Sequence, residues 1–385
     1  MPHSFTADIN PNVLKWAIER SGFSIEILAE YIRSRFNVKY FTNEYLEKII
    51  KKQENAQYSD IKKIDTFLKR GIPFYFLDEV PEERIFPKFR SKYGNFENPE
   101  IEKKLREYAE LREEIQFLVQ EQRLSLKRNI QKYTIDDEPA EVANKISKIL
   151  DFKIKDYEKT NSRVLFEIIR SKIENEDIFV FRDALPHELR GCIFLDDKYP
   201  PLILVNSSDD KNAEIFSLLH EFGHYLLDME DIDIDEINAN NPSSKSENWC
   251  NSFAYFFLIN EEIERKEEFM NSDIKEKISD EWLKNLSERY KVSKLAFMYR
   301  LFLLKKITKD DFQDYLRKHK YKQRVGLTGG GNYYSLLKSR FSRKYIQLVN
   351  NNYVDGKISL SETFNYLKVK NIERMSQIFE VLPNG

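Results

Sequence analysis

Apolar residues recur every three or four positions over most of the chain, which predicts a protein built mainly of helices. Between residues 11 and 80 the pattern breaks into short amphipathic stretches. Residues 11–21 carry Val13, Leu14, Ala17 and Ile18 on one face, and Gly22 ends the stretch. Ser24 is placed to cap residues 25–33, with Glu26 in the first turn. Thr42 is placed to cap residues 43–52, and Ser59 to cap residues 60–69. Short helices joined by tight turns predict a helix-turn-helix bundle over residues 1–80.

Prolines 73, 81, 87 and 99 punctuate a connector, taken as residues 81–135. Within it, residues 99–122 place Ile101, Leu105, Tyr108, Leu111, Ile115 and Leu118 on one helical stripe, expected as a packing helix or spacer. The texture changes over residues 136–270. Helical patterns at 140–150 and 162–174 precede short β-like runs at 178–181, 191–195 and 201–205. Short strands beside helices predict an α+β domain with a small sheet. Residues 271–385 return to a helical pattern, broken by a Gly-rich run at 326–332 and by Asp355-Gly356. The expected fold class is therefore α+β and mostly helical.

Charge and composition narrow the function. The 62 basic residues nearly cancel the 64 acidic ones, for a net charge of -2, so the chain is not a general polyanion binder. Locally, residues 31–52 hold six basic residues (Arg33, Arg35, Lys39, Lys48, Lys51, Lys52) against two acidic ones. Such a patch can contact phosphates. No window approaches 18 uncharged apolar residues, and the N-terminus has neither the basic nor the apolar region of a signal peptide. Two cysteines, Cys192 and Cys250, make no disulfide framework. A cytoplasmic protein with no membrane segment is expected.

Histidine is scarce, with five in 385 residues, yet two stand in His220-Glu221-Phe222-Gly223-His224. Histidines at i and i+4 project from one helix face and can share one Zn²⁺. Glu221 is placed to act as general base on the attacking water and then to pass the proton to the leaving amine. Chance supplies this pattern only roughly 0.006 times in such a chain. Gly223 leaves room for a close approach by another element. No histidine lies between His224 and His319, so a carboxylate is expected as third ligand. Asp228, the acidic run 230–236 and Glu247 are the candidates. The acidic run reads as a solvated loop. Asp228, one turn beyond His224, reads as orienting an imidazole or sitting at the rim. Glu247 opens a second helix with the stripe Glu247, Asn251, Ala254, Leu258, and is the expected ligand. His187 is a candidate for the cleft, though loop histidines are more often simply exposed. Cys250 reads as buried apolar packing and Cys192 as a strand residue.

The stretch from Pro201 to Asn206, then HEFGHYLL, then ENWCNSFAYFFL, resembles the ImmA/IrrE family of metallopeptidases. That family pairs a strand ending in Asn with an HExxH helix and a later Glu four residues before an Asn. The resemblance implies metal ligands His220, His224 and Glu247, with Glu221 catalytic. Trp249, Cys250 and Ile259-Asn260 depart from the family's usual residues without touching the ligands. The N-terminal stretches SIEILAEYI and TNEYLEKIIKKQ resemble an Xre-type helix-turn-helix, a module often fused to this peptidase.

These readings predict a zincin-like, Zn²⁺-dependent endopeptidase, with Mn²⁺ as the alternative metal. The resemblance implies a protein substrate of repressor or antitoxin type. Residues 202–205 are expected at a sheet edge, where an extended substrate adds as a strand. Double-stranded DNA is a candidate partner through residues 24–52, and a homodimer is a candidate assembly. The competing reading is a DNA- or protein-binding regulator, or antitoxin, whose peptidase-like domain is a sensor or scaffold.

Overall fold

A computed structural model describes residues 6–21, 23–68, 70–80, 99–153, 159–229, 232–234, 245–269, 271, 273–318 and 339–380. His3, His319 and the Gly-rich run at 326–332 lie outside the described residues. Among the described residues the chain is mostly helical with two small sheets, an α+β arrangement. It forms two compact units, residues 1–110 and 111–385.

In the first unit, β1 (Thr6–Ala7) pairs antiparallel with β2 (Ala56–Gln57). Around them lie α1 (Pro11–Arg20), α2 (Ile25–Phe36), α3 (Asn43–Ile50) and α4 (Tyr58–Leu68). Ser24 and Thr42 cap α2 and α3, their hydroxyls accepting from the Ile27 and Tyr45 amides, as side chains at that position commonly do. Asn37 ends α2 in the left-handed conformation, φ 51°, which Asn tolerates. Leu14, Leu28, Ile32, Leu46 and Ile64 join in one core. The expected start of α4 is corrected. Ser59 lies inside the helix, and buried Asp60 accepts hydrogen bonds from the Tyr40 and Tyr45 hydroxyls at 2.7 Å and from Lys63 at 2.6 Å. Those three donors offset the cost of burying the carboxylate.

The division between units falls within α5 (Pro99–Glu121), whose expected apolar stripe is buried. The second unit continues with α6 (Pro139–Ile149), α7 (Ser162–Glu174), β3 (Phe179–Asp183), β4 (Leu189–Phe194), β5 (Leu202–Asn206), α8 (Lys211–Leu227), β6 (Ile232–Ile234) and α9 (Lys245–Leu258). Among the described residues eight further helices follow: α10 (Glu261–Lys266), α11 (Ile274–Lys277), α12 (Asp280–Tyr290), α13 (Lys294–Leu303), α14 (Lys309–Lys318), then α15 (Arg343–Val354), α16 (Leu360–Tyr366) and α17 (Ile372–Phe379) after residue 339. One core runs from Ile130 to Phe312, so α12 and α13 share apolar contacts with α8 and α9.

The four-stranded sheet has the order β3-β5-β4-β6. β3 and β5 are parallel, while β4 runs antiparallel to both β5 and β6. This corrects two expectations. Residues 202–205 are not a sheet edge, because β5 pairs with β3 on one side and β4 on the other. The unbroken Leu-Ile-Leu-Val run is buried on both faces, as its composition indicates, but burial of the faces does not decide whether the edges are paired. The acidic run is not wholly a solvated loop either, since residues 232–234 form β6 on the outer edge of β4. Its remaining members lie outside the described residues.

Arg112 secures the β4–β5 connection. Its guanidinium donates to the Pro200 carbonyl at 2.8 Å, the Tyr199 carbonyl at 3.0 Å and Asp196 at 2.7 Å. Asn206, the last residue of β5, ties that strand to the start of β4. Its amide nitrogen donates to the Leu189 carbonyl at 2.9 Å, and its oxygen accepts from the Leu185 amide at 3.1 Å.

Candidate metal centre

Helix α8 owes its position to contacts at both ends. In its first turn buried Glu214 accepts from Arg182 of β3, at 2.8 Å from Nε and 2.6 Å from Nη2, and also pairs with Lys211. A carboxylate there also complements the helix dipole. At the far end Asp228 is the C-cap, in the left-handed conformation at φ 55°. It pairs with Arg128 at 2.8 Å and with Lys132. Arg128 lies 4.1 Å from the Tyr225 ring centroid. Asp228 therefore caps the helix and holds basic side chains; among the described contacts it does not orient an imidazole.

Between those ends α8 is buried almost completely, including His220, Glu221 and His224. Helix α9 packs antiparallel against it. Glu247 stands beside His220 and His224, Cys250 beside Gly223, and Asn251 beside His220. Gly223 makes this crossing possible. A methyl group there would lie 3.2 Å from the Cα, Cβ and Sγ of Cys250. The sequence expectation for Gly223 holds, and Cys250 is packing material, not a ligand.

The expected ligand atoms converge. His220 Nε2 and His224 Nε2 are 3.1 Å apart. Glu247 Oε2 is 3.2 Å from His220 Nε2, and its Oε1 is 3.3 Å from His224 Nε2. Ligands bonded at 2.0–2.1 Å to a tetrahedral ion lie about 3.3 Å from one another. Two imidazoles and one carboxylate at this spacing suit a divalent cation of borderline softness. The three residues thus have the chemistry and spacing to hold a metal ion. The other ring nitrogen of His220 lies 3.0 Å from Asn251 Oδ1, so an Nδ1–H donor there leaves Nε2 for the metal. Burial alone would raise the Glu247 carboxyl. Hydrogen bonds and positive charge from His220 and His224 outweigh it and hold that carboxyl well below the usual range.

Glu221, next to His220, is buried and turned toward β4. The strand comes so close that a methyl group at Gly191 would stand 2.9 Å from Glu221 Oε1 and 3.2 Å from the Leu204 carbonyl. Gly191 was legible as a strand residue but not as part of the site. A glycine inside a strand is the signal for such close approach. Burial, together with the nearby Glu221 charge, pushes the Cys192 thiol up, away from the activated thiolate of a catalytic cysteine. His187 is exposed, with Nδ1 3.1 Å from Glu188, and the structure does not bring it to the three ligands.

The comparisons with known proteins point to the same region. Residues 169–302 match the family model of Peptidase M78, described as an IrrE N-terminal-like domain. That span includes β3, β4, β5, α8 and α9, and with them His220, Glu221, His224 and Glu247. A peptidase-type domain is therefore indicated for this part of the chain. No curated protein and no solved structure matches the chain. Among the described residues, no helix is long and apolar enough to cross a membrane.

Proposed function

We propose that this protein is a zinc-dependent endopeptidase. The observation that carries the proposal is the convergence of His220, His224 and Glu247 beside Glu221, within a segment matching a peptidase family. A zinc ion held by these three residues would polarise the scissile carbonyl and lower the pKa of water toward neutrality. Glu221 accepts the proton of the attacking water and delivers it to the amine nitrogen as the C–N bond breaks. Asn251 fixes the orientation of His220, and burial keeps competing solvent from these groups. Manganese is the alternative metal. The substrate is read as a regulatory protein of repressor or antitoxin type, cleaved in the cytoplasm.

The N-terminal unit is read as a helix-turn-helix that contacts duplex DNA through residues 24–52. Exposed Arg35, Lys39, Lys48 and Lys52 support this, and phosphate contacts by such side chains are strongly salt-dependent. On that footing the competing reading is a regulator whose peptidase-like domain is a sensor or scaffold.

Proteomes of cells carrying wild-type or Glu221→Gln protein test the choice. One shortened partner, present only with wild type, is expected. A cellular phenotype fully retained in Glu221→Gln protein would sink the enzymatic reading and favour the regulator.

A further inference from the structure

The strand beside Glu221 is β4, since Gly191 leaves the space its carboxylate fills. An extended peptide that reaches this carboxylate by pairing with the sheet has few places to add. Both sides of β5 are taken by β3 and β4. On the far side, the Val180 carbonyl of β3 accepts from Arg170, whose guanidinium also donates to the carbonyls of Ser339 and Phe341. Phe181 of β3 packs there against Tyr345, with ring centroids 5.5 Å apart. The edge next to Glu221 itself is the outer edge of β4, and the chain's own β6 lies on it. Leu189 pairs with Ile234, Gly191 with Asp233 and Cys192 with Ile232, antiparallel, with a register shift between Leu189 and Gly191.

Two features mark β6 as an occupant of this edge and not as a fixed strand of the sheet. It is three residues long and its pairing is irregular, so few main-chain bonds hold it. It also belongs to residues 228–244, which join α8 to α9. Antiparallel helices need only about 2–8 residues between them, and longer connections are commonly functional. The ligand-bearing helices are held instead by the Gly223–Cys250 crossing and their buried faces, so the connection has length to spare.

We propose that β6 is an internal stand-in for the substrate strand: it occupies the outer edge of β4 beside Glu221, and a protein substrate must displace it to be cleaved. The proposal rests on the peptidase reading for cleavage but not for binding. Recognition then comes through the main chain of an unfolded or extended segment, a requirement that spares folded proteins. β6 competes with substrate for one edge, so weakening it raises affinity and locking it removes binding.

Three variants of the full chain test this, with fluorescein-labelled casein as an unstructured reporter. Asp233→Pro puts a residue without an N–H, with a fixed φ, in the middle of the three-residue strand opposite Gly191, and Asp233→Ala keeps an ordinary backbone there. Ile232→Cys places a thiol opposite Cys192, at a separation antiparallel partners share with disulfides. Binding is read by anisotropy in zinc-loaded protein that also carries Glu221→Gln, and cleavage in protein that keeps Glu221. Asp233→Pro is expected to tighten binding at least threefold and to lower KM, while Asp233→Ala matches the parent. Oxidised Ile232→Cys protein is expected to lose binding and to regain it on reduction. Unchanged or weaker binding in a folded Asp233→Pro protein, or full binding by the locked form, would overturn the proposal. If Asp233→Pro does not fold, the reversible lock alone decides. Absence of cleavage in every Glu221-containing protein counts against the peptidase reading, and the binding measurements still judge β6.

Discussion

Gly191 and Glu221 occupy adjoining space: a methyl group on the glycine would stand 2.9 Å from the carboxylate oxygen and 3.1 Å from Cγ. The carboxylate can swing away from such a methyl, whereas the Leu204 carbonyl at 3.2 Å belongs to the paired backbone and cannot. Gly191→Ala is therefore expected to cost about 1–3 kcal/mol of stability through overpacking. Because Glu221 must move, proteolysis should fall at least tenfold at temperatures where the variant is folded. Urea unfolding and initial rates on labelled casein measure the two effects. Full activity would show that Glu221 does not need its present position.

Asn251 is expected to act through His220. Its oxygen lies 3.0 Å from Nδ1, so Asn251→Ala removes the partner that holds the ring and its tautomer. Loss of such an outer partner typically lowers metal affinity about 10–100-fold. Competition with a chromogenic chelator measures it, and an unchanged affinity would contradict the role assigned to Asn251.

Glu247 links the site to pH. Its carboxyl is held below the ordinary value of 4.5 by His220 and His224, despite burial. A carboxylate depressed in the folded state contributes stability that is complete above its unfolded value and is lost as pH falls through its folded one. In metal-free protein the urea midpoint should therefore decline below about pH 4.5, and Glu247→Gln should flatten that decline. The same substitution should abolish stoichiometric zinc binding, seen by metal analysis after gel filtration. Retention of one zinc per chain would remove Glu247 from the ligand set.

Arg112 and Asp196 should contribute unequally although they form one ion pair. Arg112 is buried and also serves two backbone carbonyls, while Asp196 is about one-third exposed at 34%. Arg112→Ala leaves those carbonyls without their donor and is expected to cost about 2–4 kcal/mol. Asp196→Ala leaves them served and, with solvent screening, is expected to cost about 1 kcal/mol or less. Chemical denaturation of both variants separates the cases, and equal losses would mean that the ion pair itself dominates.

The sequence by itself determined what depends on neighbours along the chain. Histidines four apart on a helix share a face whatever surrounds them, so His220 and His224 were legible as a pair, and Glu221 with them. The scarcity of histidine directed attention to Glu247, and helix spacing placed Asn251 on its stripe. Caps at Ser24 and Thr42 were equally local. Tertiary structure decided everything that depends on which strand meets which. Residues 202–205 looked like an edge and lie inside the sheet, because an apolar run records burial but not hydrogen-bonding partners. An acidic stretch that read as a solvated loop supplies β6, because three main-chain pairings do not depend on side-chain polarity. Gly191 belongs to the site only because β4 crosses α8 at Glu221, a contact between residues thirty positions apart that no local periodicity encodes.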